Sequence, residues 1–312
     1  MNATKRKYVY GPVPSRRLGR SLGVDLVPFK VCPFDCTYCQ LGRTTSHTAR
    51  RRAYHPTEAV LAELREVLAG GVEADYVTLS GSGEPTLHRD LGRIVEAIKA
   101  MTDIPLAVLT NGALLGDPQV RRALLPADLI APSLDAGDET TFRRINRPCE
   151  GVTFDSVVAG LKALRAEYDG RIALEVLFVA GVNDGDEEVD RLKAVIEAVG
   201  PDSVDLNTVT RPPAESDARP VTGASLERIA ARLGPEARII AARTAAETGG
   251  GAVSAEDVLA MLRRRPCTLD DLADALRCHR WEAAKVVARL QEAGRVADRR
   301  QDGRTYFQAG EA

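Results

Sequence analysis

The sequence predicts an α/β fold built on a parallel sheet, followed by a smaller domain of a different kind. Three observations carry this. Between about residues 20 and 210, short β-branched runs alternate with amphipathic helical stretches. A small, Gly-rich stretch, RTAAETGGGAVS at 243–254, interrupts the alternation and reads as a linker. Beyond it the pattern changes to three short helices and two strands. The expected boundaries are 1–242 for the α/β domain, 243–252 for the linker and 253–312 for the small domain.

Six runs read as strands: SLGVDLV (21–27), ADYVTLS (74–80), IPLAVLT (104–110), DLIAPSL (128–134), RIALEVLFVA (171–180) and SVDLNTV (203–209). The helical pattern is plainest in TEAVLAELREVLAGG. Its Val60, Leu61, Leu64, Val67 and Leu68 share one face, and Gly70 and Gly71 form a stop. RDLGRIVEAIKAM, FDSVVAGLKALRAEY and DEEVDRLKAVIEAVG behave alike. Six parallel strands suit either an incomplete (β/α) barrel or an open doubly wound sheet. In both, the site lies at the carboxyl ends of the strands. The polar turns SGSGEPT, NGALL and DAGDET follow strands two, three and four, so they belong on one rim with the loop after strand one.

In the small domain, SAEDVLAMLRRRP, TLDDLADALRC and RWEAAKVVARLQEAG read as helices. RVADRRQDGRTYFQ reads as two strands around a turn at Asp302-Gly303. Three helices and a hairpin resemble a winged helix-turn-helix domain. Residues 253–312 carry 11 Lys/Arg and 10 Asp/Glu, a net of only +1. The basic residues are nevertheless gathered: Arg280, Lys285 and Arg289 on the third helix, and Arg295, Arg299, Arg300 and Arg304 in the hairpin. Two uses stay open, a grip on RNA or DNA phosphates and a protein-contact or lid module. Trp281 reads as core.

The 312 residues are 44% hydrophobic and 28% charged, as in an ordinary soluble globular protein. The net charge of −2 gives the whole molecule no strong field for nucleic acid or anionic membrane. No apolar run approaches the roughly 18–20 residues of a membrane span. The basic N-terminal stretch lacks the apolar centre of a signal peptide. No membrane association and a cytoplasmic location are expected.

Three of the six cysteines stand in VCPFDCTYCQLG, 31–42, as C-x3-C-x2-C: Cys32, Cys36 and Cys39. Buried thiols do not cluster this way, and the spacing reads as a metal site. A structural zinc needs a fourth ligand, which His47 or His55 would have to supply. A [4Fe–4S] cluster uses the deficit: three thiolates leave one iron open to a small molecule. With Tyr38 before the last cysteine, the motif resembles the signature of radical S-adenosylmethionine (SAM) enzymes. That resemblance implies a partial (β/α)6 barrel. It also implies that SAM chelates the open iron through its amino and carboxylate groups. Reductive cleavage of SAM then yields methionine and a 5′-deoxyadenosyl radical.

The resemblance extends over about residues 8–240. SGSGEPTL (80–87) is similar to the family's G-G-E-P segment, with Ser82 in place of one glycine. It implies that Gly81, Ser82, Gly83 and Glu84 receive the SAM ammonium. LTNG (109–112) and SLDA (133–136) resemble the segments that hold the ribose and carboxylate, through Asn111, Ser133 and Asp135. One of Arg143, Arg144 and Arg147 in FRRINRP would pair with the carboxylate. FVAGVND (178–184) and LNTVTRPPAE (206–215) resemble the adenine-side segments. The family also implies a low-potential electron donor such as flavodoxin or ferredoxin. No catalytic residue beyond the cofactor ligands is named by any motif.

YGPVPSRRLGRSLGVDL resembles a subgroup broadly related to tRNA wyosine-forming enzymes, although no cysteine precedes Cys32 as theirs do. It suggests an RNA substrate. Arg16, Arg17 and Arg20 there are either phosphate contacts or solvated charge. Cys149, Cys267 and Cys278 match no ligand spacing and read as buried or free thiols, with Cys149 near the rim. The alternative in a different class is an iron–sulfur redox sensor that binds DNA through its C-terminal domain; such a sensor has no need of SAM loops.

Overall fold

The computed structural model describes residues 6–240, 254–276, 278, 280–301 and 303–310. The expected linker at 243–252, Asp302 of the hairpin turn and the side chain of Trp281 lie outside the described residues.

The chain opens with two antiparallel strands, β1 (Val9–Ser15) and β2 (Gly19–Val24). Two-residue strands β3 (Val31–Cys32) and β4 (Ser46–His47) then bracket the cysteine loop. The alternation follows: α1 (Thr57–Ala69), β5 (Tyr76–Leu79), α2 (Leu91–Met101), β6 (Leu106–Thr110), α3 (Pro118–Leu124), β7 (Leu129–Pro132), α4 (Glu139–Ile145), α5 (Phe154–Glu167), β8 (Arg171–Phe178), α6 (Asp186–Val199), β9 (Ser203–Thr208), α7 (Gly223–Leu233) and β10 (Ala237–Ile239). One eight-stranded sheet runs β1-β2-β5-β6-β7-β8-β9-β10, parallel from β2 onward. The strand order is monotonic. A doubly wound sheet reverses its order at a switch point, so this is the barrel alternative. Among the described residues no pairing joins β10 to β1, and the barrel is partial.

Local chemistry explains the elements. Central parallel strands are covered on both faces, and all four residues of β7 are buried accordingly. Thr153 and Ser156 close a capping box at the start of α5. Asp186, Glu187 and Glu188 fill the first turn of α6, and Gly200 ends it in the left-handed conformation. All six expected strands are present. β1 was not foreseen, because Gly11, Pro12 and Pro14 spoil its pattern; prolines are tolerated there because the strand is an edge.

After the undescribed segment come α8 (Ala255–Leu262), α9 (Leu269–Leu276), α10 (Arg280–Glu292) and a hairpin of β11 (Val296–Gln301) and β12 (Arg304–Ala309). These share a separate core that includes Val258, Leu262, Leu272, Val287 and Phe307, with Cys267 and Cys278 as buried thiols. The unit sits against the barrel's open side. Val13 of β1 packs into its core. Tyr306 donates to the carbonyl of Thr210 at 2.7 Å. The Arg264 guanidinium lies 4.2 Å from the Tyr10 ring centroid.

Candidate active site

The cysteine loop leaves β2 and is held by backbone bonds that need no metal. Asp35 N donates to the Asn146 carbonyl at 3.0 Å, and Thr37 N to that of Ile145 at 2.9 Å. Thr44 N donates to Asp35 Oδ1 at 2.6 Å. All three cysteines are half-buried. Each sulfur accepts from nitrogen. Cys32 Sγ accepts from Phe34 N and Asn111 Nδ2, both at 3.4 Å. Cys36 Sγ accepts from Asn146 Nδ2 at 3.5 Å, and Cys39 Sγ from Lys30 Nζ at 3.1 Å. N–H donors aimed at sulfur stabilise thiolate and tune an iron–sulfur centre.

Without a cation, burial pushes the Cys32 thiol well up, helped by the negative charges of Cys36 and Glu84. Burial and the neighbouring Cys39 raise Cys36 to about 12. A coordinating metal reverses this and deprotonates the thiols outright. Among the described residues no three His, Cys, Asp or Glu side chains converge on one point. A zinc ion needs such convergence at about 2.3 Å from each sulfur; a cluster takes thiolates on separate irons. His47 Nε2 is instead engaged with the Pro33 carbonyl at 2.9 Å. The donor set fits an iron–sulfur cluster.

The glycine loop is sewn to the cysteine loop. Lys30 N donates to the Ser82 carbonyl at 2.7 Å, and Glu84 N to that of Val31 at 3.1 Å. A Cβ on Gly83 would lie 2.1 Å from the Val31 carbonyl oxygen. Gly81 has φ +145° and would press a Cβ to 2.6 Å from the Asp25 carboxyl carbon. Ser82 donates to Asp25 from both N and Oγ. Glu84 is buried, and its carboxylate is taken up by the protein. Oε1 accepts from Thr86 N, Thr86 Oγ1 and Thr110 Oγ1, and Oε2 from Asn111 N at 2.8 Å. Glu84 therefore ties the end of β5 to the end of β6.

Asp135, after β7, is the hub of the next turn. Its Oδ1 accepts from Leu177 N at 2.9 Å, and its Oδ2 from Tyr38 OH at 2.5 Å and Asn146 Nδ2 at 2.7 Å. Burial raises its carboxyl to about 6 against those three donors. Ser133 N donates to the Thr110 carbonyl at 2.9 Å. The sequence offered Tyr38 only as an aromatic and missed Lys30 and Asn146 as sulfur partners; their signal was adjacency to the motif and to FRRINRP.

A cavity of about 1220 Å³ joins these parts. Cys32 and Cys39, the 81–84 loop, Asn111, Ser133 and Asp135 all contribute to its wall. Cys36, which accepts from Asn146, is not among the lining residues. The far side is formed by Arg16, Arg211 and residues of α8, α9 and the hairpin. Arg143, Arg144, Arg147 and Cys149 do not line it. Arg143 pairs with Glu139 at 2.5 Å and Arg147 with Glu215 at 2.6 Å. Cys149 N donates to the Pro33 carbonyl behind the cysteine loop. Several basic residues of the C-terminal unit are paired internally: Arg280 with Asp270, Lys285 with Glu282 and Arg295 with Glu256.

The family model described as the radical SAM superfamily matches residues 26–192, from the last turn before the cysteine loop into α6. The chain belongs to the radical SAM superfamily. The cofactors of that family are a [4Fe–4S] cluster and SAM. A GTPase Obg of Brachyspira hyodysenteriae is 35% identical over 298 residues, 94% of this chain and 44% of that protein. The chain thus spans less than half of that relative. A UPF0026 protein of Synechocystis is 39% identical over 205 residues, 65% of this chain and 76% of its own length. The radical SAM methyltransferase of Sphaerobacter thermophilus shares the fold at a TM-score of 0.52 and 19% identity, covering 70% of this chain and 65% of that one. No helix among the described residues is long and apolar enough to cross a membrane.

Proposed function

We propose that Cys32, Cys36 and Cys39 hold the cluster, that SAM lies along Gly81–Glu84, Asn111, Ser133 and Asp135, and that a small substrate sits beyond it under the C-terminal unit. The observation that carries this is the shared cavity: two of the three cysteines, Gly81–Glu84, Asn111, Ser133, Asp135 and residues 207–211 open on one space, while the FVAGVND segment (178–184) does not reach it. When bound and reduced, the cluster supplies the electron that cleaves SAM to methionine and a 5′-deoxyadenosyl radical. The chain's own residues do the rest. The asparagines and Lys30 point N–H groups at the sulfurs. Glu84 ties β5 to β6 and Asp135 ties β7 to β8, so the two carboxylates fix four strand ends. The C-terminal unit supplies one side of the cavity and so limits solvent around a reactive intermediate. A low-potential flavodoxin or ferredoxin is the proposed donor.

The size of the cavity supports a small substrate. It exceeds the roughly 300–1,000 Å³ of a single-ligand site, enough for SAM and one further small molecule. The test is anaerobic reconstitution, reduction with dithionite and measurement of 5′-deoxyadenosine. Wild type is expected to form it, and Cys32→Ala, Cys36→Ala and Cys39→Ala to form none. Cleavage that survives these substitutions, or an intact cluster that cleaves no SAM, overturns the reading.

A further inference from the structure

Three arginines on the cavity wall have more positive charge than the protein answers. Arg16, just past β1, has one long side-chain hydrogen bond, from Nη2 to Thr210 Oγ1 at 3.4 Å. Arg211, after β9, reaches Gln40 Oε1 at 3.3 Å and Asp271 Oδ1 at 3.4 Å, and its buried Nε has no partner. Arg265, just past α8, lines the same cavity, and its side chain meets the Cys267 thiol and the field of Asp271 with no carboxylate of its own in an ion pair among the described residues. Burial pushes Arg16 and Arg211 down and Arg265 adds to it, against Glu175, which supports the charge of Arg16, and Asp271, which supports both. All three guanidiniums belong to residues that line this one cavity.

The nearby carboxylates are mostly committed. Glu175 pairs with Arg17 at 2.7 Å, and Asp270 with Arg280 at 3.1 Å. Asp271 Oδ2 is held by Thr268 N at 2.9 Å and Thr268 Oγ1 at 3.0 Å. Asp274 also faces the cavity, and burial raises its carboxyl, which favours the neutral form. Repelling, half-buried cations cost free energy that an oxyanion between them returns. A guanidinium's planar fork matches a phosphate or carboxylate oxygen pair.

We propose that Arg16, Arg211 and Arg265 together bind an oxyanion group, phosphate or carboxylate, of a small substrate in this cavity. The inference rests on the small-substrate reading of the cavity and names the chemical class. Two arginines come from the barrel and one from the C-terminal unit, so the bound anion bridges the two.

The experiment is calorimetric titration of the full, reconstituted protein with inorganic pyrophosphate and, separately, with malonate. Wild type is expected to bind at least one, pyrophosphate the tighter if the substrate carries phosphate and malonate the tighter if it carries carboxylate. Arg16→Gln and Arg265→Gln should each weaken that binding roughly ten- to a hundredfold, the worth of one charge-assisted hydrogen bond. Arg265→Lys keeps the charge without the fork and should recover part of the loss. SAM affinity is measured on the same samples. Failure of both probes to bind wild type, or binding that survives both Gln substitutions, overturns the proposal. So does a loss confined to SAM, which would assign the arginines to the cofactor, or a tRNA mixture that binds through them while neither probe does. If pyrophosphate or malonate binds as expected but wild type cleaves no SAM, the anion site stands and the radical reading fails.

Discussion

Lys30 shows how much a single buried charge contributes to the site. Its side chain is buried, its backbone is in the left-handed region at φ 57°, and its Nζ lies 3.1 Å from Cys39 Sγ. A cation beside the cluster favours its more negative, reduced state. Lys30→Met should therefore make the reduction potential more negative, by tens of millivolts and at most about 100 mV, the equivalent of one charge-assisted hydrogen bond. Potentiometric titration followed by electron paramagnetic resonance checks this; an unchanged or raised potential contradicts it. The cysteines were legible because their chemistry is written in their own spacing. Lys30, Asn146 and the hydroxyl of Tyr38 were not, because their roles depend on which distant group each meets. Asn146 is 110 residues from Cys36 in sequence and 3.5 Å from it in space. Glu84 makes the same point in reverse: its motif was visible, but only the fold shows its carboxylate bonded to Thr86, Thr110 and Asn111.

Among the elements, the glycine loop and α8 are linked through Asp25. Ser82 donates to Asp25 from N and Oγ, and Arg264 Nε stands 3.6 Å from Asp25 Oδ2. Burial raises the Asp25 carboxyl, and Arg264 is the largest influence holding it down. Arg264→Gln should raise it further, weaken a carboxylate's grip on the Ser82 amide and loosen the contact of α8 with Tyr10. Amide hydrogen exchange at Ser82 is expected to quicken several-fold, the size of a lost hydrogen bond of about 1 kcal/mol, while α5 at the opposite side stays protected. Unchanged exchange at Ser82 would show that the loop does not sense the C-terminal unit. The central strands and long helices were readable because burial on two faces, or one stripe over several turns, leaves a periodic trace. The elements missed were mostly short or irregular, with α7 the exception: its Leu226, Ile229 and Leu233 carry a helical stripe that was not foreseen. α3 and α4 have seven residues each, fewer than needed for a repeat, and only their caps Asp117 and Asp138 mark them. β10 has three residues and takes its place by pairing with β9.

At the scale of the whole molecule, the question is what the cluster does for the fold. In small zinc domains the metal is the core, and removal unfolds them. Here the barrel has its own core, including Leu22, Leu79, Ile130, Leu174 and Phe178, all at 2% exposure or less. The cysteine loop is fastened separately, by Asp35 to Asn146, Thr37 to Ile145 and Tyr38 to Asp135. Those bonds flank the thiols on both sides and involve no sulfur. The thiols of Cys32 and Cys36 are also tolerable without a metal, since their surroundings already favour the protonated form. Stripping the cluster with a chelator and oxidant should therefore abolish SAM binding through iron yet leave the far-ultraviolet dichroism of the sheet and helices intact. Urea unfolding should stay cooperative, with a slope close to that of the loaded protein, because the surface exposed is nearly the same. The midpoint should fall only by the linkage owed to a bound ligand. A stripped protein with native dichroism but strong dye binding and no cooperative transition would mean that the cluster, rather than the hydrogen bonds around it, holds the rim together.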